Sequence, residues 1–198
     1  MSLRLSAFVV FAALVCVAPD SWAKTDKKFE RWLGRTTVQV LEAADRVEIF
    51  VVGPQPVGPR GNADDSTGNQ LPPGTPQTIR RYPVRQVAPG QGREFARQIA
   101  RLVLDERSYE PRMYPFGQSV MKACRFAPDV AFRVWARTRA VDVLLSFRCD
   151  EIAVAYVNGK REPLAGDFDP ARAAFVQLVK SVLGDVPEIA KLPDARPE

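Results

Sequence analysis

Between Val130 and Val157 apolar residues recur at every second position. Val130, Phe132 and Val134 alternate with Ala131, Arg133 and Trp135. Val141, Val143, Leu145, Phe147 and Cys149 alternate with Asp142, Leu144, Ser146 and Arg148, and Ile152, Val154 and Tyr156 with Glu151, Ala153 and Ala155. A period of two belongs to strands with one buried face, so this stretch predicts three strands of an antiparallel sheet. A two-residue turn at Arg137-Thr138 sets Phe132 opposite Val143 and Val134 opposite Val141, apolar against apolar. Slipping by one residue would turn the whole set to water, so parity holds the register. The Asp150-Glu151 junction has poor turn chemistry. Asn158-Gly159 is a strong turn signal that closes the third strand.

Helical spacing appears twice. After Gly90-Gln-Gly92, Phe95, Ile99, Leu102 and Val103 fall at i, i+4, i+7 and i+8 and predict an amphipathic helix over 93–104. Arg93, Arg97 and Arg101 form a basic stripe elsewhere on that helix. Asp169-Pro170 places a preferred N-cap before a proline at the first helical position. The helix that follows carries Ala171, Phe175, Leu178, Val179 and Val182 on one side and ends near Gly184. Glu188–Leu192 can add one more turn.

The remaining segments are less regular. Lys24–Gly34 is charged, with Phe29, Trp32 and Leu33 as its only large apolar residues, and reads as one short helix or a loose segment. Thr36–Ala44 is ambiguous between strand and helix. Arg46–Val52 is rich in β-branched and aromatic residues and reads as a strand ended by Gly53-Pro54. Gly53–Thr78 carries Pro54, Pro56, Pro59, Pro72, Pro73 and Pro76 among its glycines, with Val57 and Leu71 as its only bulky apolar residues. Such a segment buries too little surface to offset its ordering entropy, so it reads as a flexible loop. It lacks a clean Pro-x-x-Pro core with basic flanks. Ile79–Val87 is extended, with Pro83 marking an edge strand, and Ser108–Gln118 reads as another loop.

These elements predict an α+β fold: an antiparallel sheet of four to five strands, with the 93–104 and 170–183 helices on its apolar face. There is no internal repeat and one domain. Its organisation is a signal peptide over 1–23, an N-terminal segment with the first strand over 24–52, the loop over 53–78 and the main part over 79–192.

The signal reading rests on Arg4, the uncharged run Leu5–Ala18, the helix breaker Pro19, and small residues at Ser21 and Ala23 before Lys24. A run of that length spans roughly 21 Å as a helix, short of the ~30 Å hydrocarbon core, which argues against an uncleaved anchor. Cys16 raises a lipoprotein alternative, but Val15 stands where a lipobox takes a small residue. Cleavage removes Arg4 and Asp20 together, so the mature chain keeps the net charge of +5. The location expected is exported, periplasmic or extracellular, with no transmembrane anchor after cleavage.

Composition narrows the chemistry. The chain of 198 residues has no histidine, which excludes Ser-His-Asp and Cys-His nucleophile pairs, histidine-bearing zinc sites and histidine-held haem. There is no Gly-rich phosphate loop or dinucleotide fingerprint, and no cofactor or metal is expected. Loss of Cys16 with the signal leaves Cys124 and Cys149, an even pair that in an exported protein reads as a structural disulfide. Two free buried thiols are the alternative. A bridge would close a loop of about 25 residues, worth roughly 3.5 kcal/mol in the chain-entropy model.

Carboxylates offer two further candidates. Asp167 and Asp169 form an Asp-x-Asp pair, but a lone pair lacks the remaining oxygen ligands of a Ca²⁺ site, and capping accounts for Asp169. Asp142, Asp150 and Glu151 could serve acid/base work. The first two lie on the polar side of the strand pattern and need no such role, so no catalytic residue is assigned. Charge is the remaining signal. Residues 79–148 hold fourteen Lys+Arg against six Asp+Glu, residues 24–78 balance to zero, and 149–198 give −3. Concentrated positive charge gathers anionic partners, and Arg93, Arg97, Arg101, Arg133 and Arg137 are the candidate anion-binding residues. Arginine dominates the basic residues throughout, which also fits an ordinary solvated face set by genomic base composition.

At Cys124-Arg-Phe-Ala-Pro128, Ala131-Phe-Arg133, Val141-Asp-Val-Leu-Leu145 and Phe147-Arg-Cys149, the chain resembles a group of uncharacterised exported bacterial proteins. The resemblance covers residues 79–183, including Asp167–Arg172. Its relatives carry a further cysteine where this chain has Ser146, so a thiol function on that spacing is not implied here. The resemblance implies export and no particular activity.

The function expected is therefore an exported, non-catalytic binding or envelope-associated module. Its partner would be an anionic envelope polymer or another exported protein. Nucleic acid is not expected, given export and the lack of an aromatic-basic RNA signature. The alternatives are a hydrolase or transferase whose carboxylates the fold assembles, and a secreted inhibitor using the 53–78 loop. A pocket gathering carboxylates would favour the enzyme; a face gathering arginines would favour anion binding.

Overall fold

The computed structural model describes residues 27–53, 71–110, 124–159 and 164–195. The expected signal peptide, residues 54–70 of the expected loop and residues 111–118 of the next one lie outside the described residues.

The strands are β1 (Arg46–Val52), β2 (Thr78–Ile79), β3 (Tyr82–Gln91), β4 (Val130–Ala136), β5 (Arg139–Ser146), β6 (Glu151–Tyr156) and β7 (Leu164–Asp167). They form one seven-stranded sheet in the order β2-β3-β1-β4-β5-β6-β7, antiparallel at every junction, curled into a half-barrel. The α+β class holds, but the sheet is larger than the four to five strands expected. Two short strands account for the difference. β2 has two residues and β7 four, one of them Gly166, too few for a period-two pattern to register.

The β4–β5 hairpin has the anticipated register. Phe132 pairs with Val143 and Val134 with Val141, around a turn at Arg137-Thr138. Arg137 takes φ 57° there, a left-handed position that is uncommon outside glycine and asparagine. Pro83 lies in β3, which is flanked by β1 and β2; the edge strand is β2.

Helices α1 (Lys27–Leu33), α2 (Arg35–Glu42), α3 (Arg93–Leu104), α4 (Arg172–Leu183) and α5 (Pro187–Ala190) pack on one face of the sheet. The ambiguous 36–44 stretch is therefore helical as far as Glu42. Thr37, Val38, Leu41 and Ala44 are buried at helical spacing, and that packing overrides the β-branched character of Thr36–Val38. In α3 the buried positions are Ala96, Ile99, Ala100, Val103 and Leu104, while Phe95 and Leu102 are only partly buried. The apolar face is thus rotated towards two alanines, which let the helix sit close to β1.

Asp169 does not cap α4. It opens a single 3-10 turn (Asp169–Ala171), neither that turn nor α4 has a side-chain cap, and the Asp169 amide itself donates to Asp167 Oδ1 at 3.0 Å. Gly166 matters for a different reason. A β-carbon there would meet Tyr109 Cδ1 at 2.9 Å and Trp32 Cη2 at 3.1 Å. Its absence lets the Phe29–Trp32–Tyr109 aromatic cluster close over β7.

The far face of the sheet is buried as well, contrary to the one-sided sheet that the alternation implied. Phe50, Val52, Ile79, Val84, Ala131, Leu144 and Ala153 form a second apolar cluster there. The β2–β3 hairpin supplies Ile79 and Val84, so it covers a face that period-two reading assigns to water.

Candidate functional site

The five candidate arginines do not converge. Arg93 and Arg101 are exposed and Arg97 half-buried on α3, on the helical face. They recur every four residues, so successive guanidinium stems lie one turn apart along one side of the helix. Arg133 lies on the far face, because its neighbours Phe132 and Val134 point into the helical core. Arg137 is exposed in the β4–β5 turn, where its backbone N–H donates to Asp45 Oδ2 at 2.7 Å.

Arg133 is committed to a partner. It faces Asp142 directly across β4 and β5, with Nε 2.8 Å from Oδ1 and a terminal nitrogen 3.3 Å from Oδ2. Asp142 is 2% exposed, so it does not stand on a solvated face as its place in the alternation suggested. A second guanidinium reaches it. Arg80 Nε lies 3.4 Å from Asp142 Oδ2, and an Arg80 terminal nitrogen donates to the Tyr156 carbonyl on β6. A buried carboxylate is tolerated only when paired and hydrogen-bonded; here two arginines meet that demand.

Arg80 was invisible in the sequence. It occupies the two-residue β2–β3 turn with Arg81, at φ 50° and 76°. Two positive φ angles in a two-residue hairpin loop mark a type I′ turn, where Asn and Gly are the usual residues. Left-handed backbone costs other L-residues roughly 1–2 kcal/mol each. Ile79-Arg-Arg-Tyr82 carries no such signal.

Asp150 is fully buried and also paired, with Arg172 of α4, which donates to the Phe147 carbonyl at 2.8 Å and the Pro193 carbonyl at 3.2 Å. This corrects its assignment to the polar side of a strand. Asp150 follows β5 in a left-handed conformation, φ 54°, which resolves the junction left open by its turn chemistry. Beside it, Cys124 and Cys149 sit at disulfide-bonding distance with Cα atoms 5.7 Å apart. Phe147, Phe168 and Phe175 stack edge-on below, joining this corner to α4.

Electrostatic perturbations at the other carboxylates have local causes. Burial pushes the Asp129 carboxyl above the usual carboxylate range, against the pull of the Phe147 amide that donates to it at 2.9 Å and of Arg148 and Arg172. The Arg107 guanidinium, hydrogen-bonded to Asp105 at 2.8–2.9 Å, holds that carboxyl below it. Burial raises the Tyr109 phenol, which donates to the Val103 carbonyl at 2.8 Å.

Among the described residues no three His, Cys, Asp or Glu side chains gather as metal ligands. Two cavities of about 510 and 270 Å³ meet at Gly34 and Arg35, where α1 turns into α2. The smaller has an apolar wall of Leu33, Val154, Ala155 and Leu164; the larger is flanked by Lys27, Glu30, Arg31 and Arg35. Among the described residues neither brings two carboxylates together. No family model, curated protein or solved structure matches the chain.

Proposed function

We propose that the protein is an exported, non-catalytic binding module of a bacterial envelope, taking an anionic polymer as its partner. The observation that carries this reading is the arginine row of α3, with Arg93, Arg97 and Arg101 one turn apart on the outside of a helix seated by Ile99, Val103 and two alanines. The fate of the carboxylates supports it. Asp142 serves two arginines, Asp150 serves Arg172, Asp129 holds the Phe147 amide and Asp167 the Asp169 amide. Each has a structural task. Arg133 leaves the α3 surface, and Arg137 belongs to a separate turn.

Export rests on the residue pattern of 1–23 and on the resemblance to exported bacterial proteins over 79–183. Mass analysis of the secreted form tests it: the mature chain should begin at Lys24. Retention on a dextran sulfate matrix tests the binding surface. The mature protein should elute at lower salt once Arg93 and Arg97 are both changed to Glu, with its thermal transition unchanged.

A further inference from the structure

Helix α2 starts without the partners that a helix start ordinarily has. Its N-cap is Gly34, which offers no side chain, and no acidic residue stands in the first turn. The first bond closing the helix runs from Val38 N–H to the Gly34 carbonyl at 3.1 Å, so the N–H groups of Arg35, Thr36 and Thr37 have no backbone acceptor among the described residues. Arg35 holds the first helical position, where its charge opposes the helix dipole. None of the ion pairs among the described residues engages it. Thr37 is a second, independent observation. It is 6% exposed, it lines the smaller cavity, and its hydroxyl has no hydrogen-bond partner among the described residues. Buried hydroxyls in native proteins nearly always have one, and a helical threonine can bond back to the carbonyl one turn earlier. Thr37 does not, and the cavity is what remains to it.

We infer that the cavity at the start of α2 binds a small anion made of an oxyanion head and a short apolar tail. The head accepts from the first α2 amides and the Thr37 hydroxyl and pairs with Arg35; the tail lies along Leu33, Val154 and Leu164, which line the same cavity. The chemistry selects this class. Helix N-termini present N–H groups and a positive dipole end together, which suits an acceptor-only, negative head. The adjoining larger cavity adds Lys27 and Arg31 to Arg35, against Glu30 alone, so the surroundings are net positive. A volume of about 270 Å³ stands at the low end for small-ligand pockets, which run from roughly 300 Å³ upwards. That suits a chain of a few carbons rather than a whole lipid. The site is separate from the α3 surface, since it lies over β6 and β7 while α3 packs against β1. Neither reading depends on the other.

The test is the backbone amide resonances of Arg35, Thr36 and Thr37 in ¹⁵N-labelled mature protein. Hexanoate supplies a carboxylate head and hexyl phosphate the alternative one, hexanol is the tail alone, and acetate and inorganic phosphate are the heads alone. At least one hexyl anion should shift the three amides saturably, and the one that binds identifies the head. Hexanol should leave them still. The matching head alone should bind at least about tenfold more weakly, the worth of two buried methylenes. Thr37→Val keeps the side-chain shape without the hydroxyl and should weaken binding about tenfold, the value of one lost charge-assisted hydrogen bond. Thr37→Ser, which keeps the hydroxyl, should bind as the parent does. Arg35→Gln, at an exposed position that the fold does not depend on, should weaken binding comparably. The pair Arg93→Glu and Arg97→Glu should leave the shifts intact. Amides unmoved by both hexyl anions, or moved equally by hexanol or by the head alone, overturn the inference. So does binding that Thr37→Val and Arg35→Gln both leave unchanged. Hexyl-anion binding by a protein that no polyanion binds would sustain this site and remove the proposed α3 function.

Discussion

Arg133 and Asp142 are direct cross-strand partners on β4 and β5, and their Nε and Oδ1 atoms are 2.8 Å apart beneath the β2–β3 hairpin. Arg80, from the tip of that hairpin, adds a second guanidinium to the same carboxylate. Asp142 is thus the anchor that ties one end of the sheet to its middle. Asp142→Ala leaves two arginines without their carboxylate. Removing one partner of a buried pair costs about 3–5 kcal/mol, and the arginines are 17% and 21% exposed. A loss at the lower end, about 3 kcal/mol, is therefore expected in urea unfolding. A change below about 0.5 kcal/mol, the range of an ordinary surface substitution, would show that the pair holds nothing together.

Reduction of the Cys124–Cys149 pair should destabilise the protein by roughly 3.5 kcal/mol, because the bridge spans a sequence separation of 25. Thiol titration of the denatured, unreduced mature chain should find no free sulfhydryl. Two titrating thiols would reject the bridge.

Gly166→Ala should cost about 1–3 kcal/mol, as an overpacked core position does. The new methyl would press on Tyr109 and Trp32 at 2.9 and 3.1 Å. Denaturant midpoints of the variant and parent measure it, and a neutral result would mean the aromatic cluster yields freely.

Asp129 gives a pH signature. Its carboxyl titrates above the usual range in the folded state because it is buried, so the folded protein holds that proton more tightly than the unfolded chain. Stability from this group is highest below the unfolded value, about 3.9, and falls as pH rises through the elevated folded value. Asp129→Asn keeps an oxygen for the Phe147 amide and removes the titration. The variant should gain stability relative to the parent across that window, with a constant difference above it. A difference independent of pH throughout would contradict the assigned cause.

Much of this was legible in the chain, and the reasons differ by element. The β4–β5 register followed from parity, and with Phe132 opposite Val143 it already set Arg133 opposite Asp142. The ion pair was implicit there, hidden because alternation assigned both residues to water. What parity could not supply was the cover. Ile79 and Val84 come from a hairpin whose turn is two arginines, so neither the turn nor the second apolar cluster had a local signal. Asp150 was misplaced similarly: its partner Arg172 lies on α4, and only tertiary packing brings the two together. The α3 arginines were readable because helical spacing is local. The separation of Arg133 from them was implicit too, since parity put Arg133 on the face opposite the one that receives α3.

The anionic partner is tested most directly by the affinity of the mature protein for a labelled polyanion at two salt concentrations. Exposed charges are screened beyond about 10 Å at 0.1 M ionic strength and beyond about 3 Å at 1 M. Binding through Arg93, Arg97 and Arg101 should therefore weaken steeply between about 0.05 and 0.5 M salt, and Arg93→Glu with Arg97→Glu should abolish most of that dependence. Affinity indifferent to salt and to these two reversals would contradict it, and would make the α3 row a solvated face with no ligand of its own.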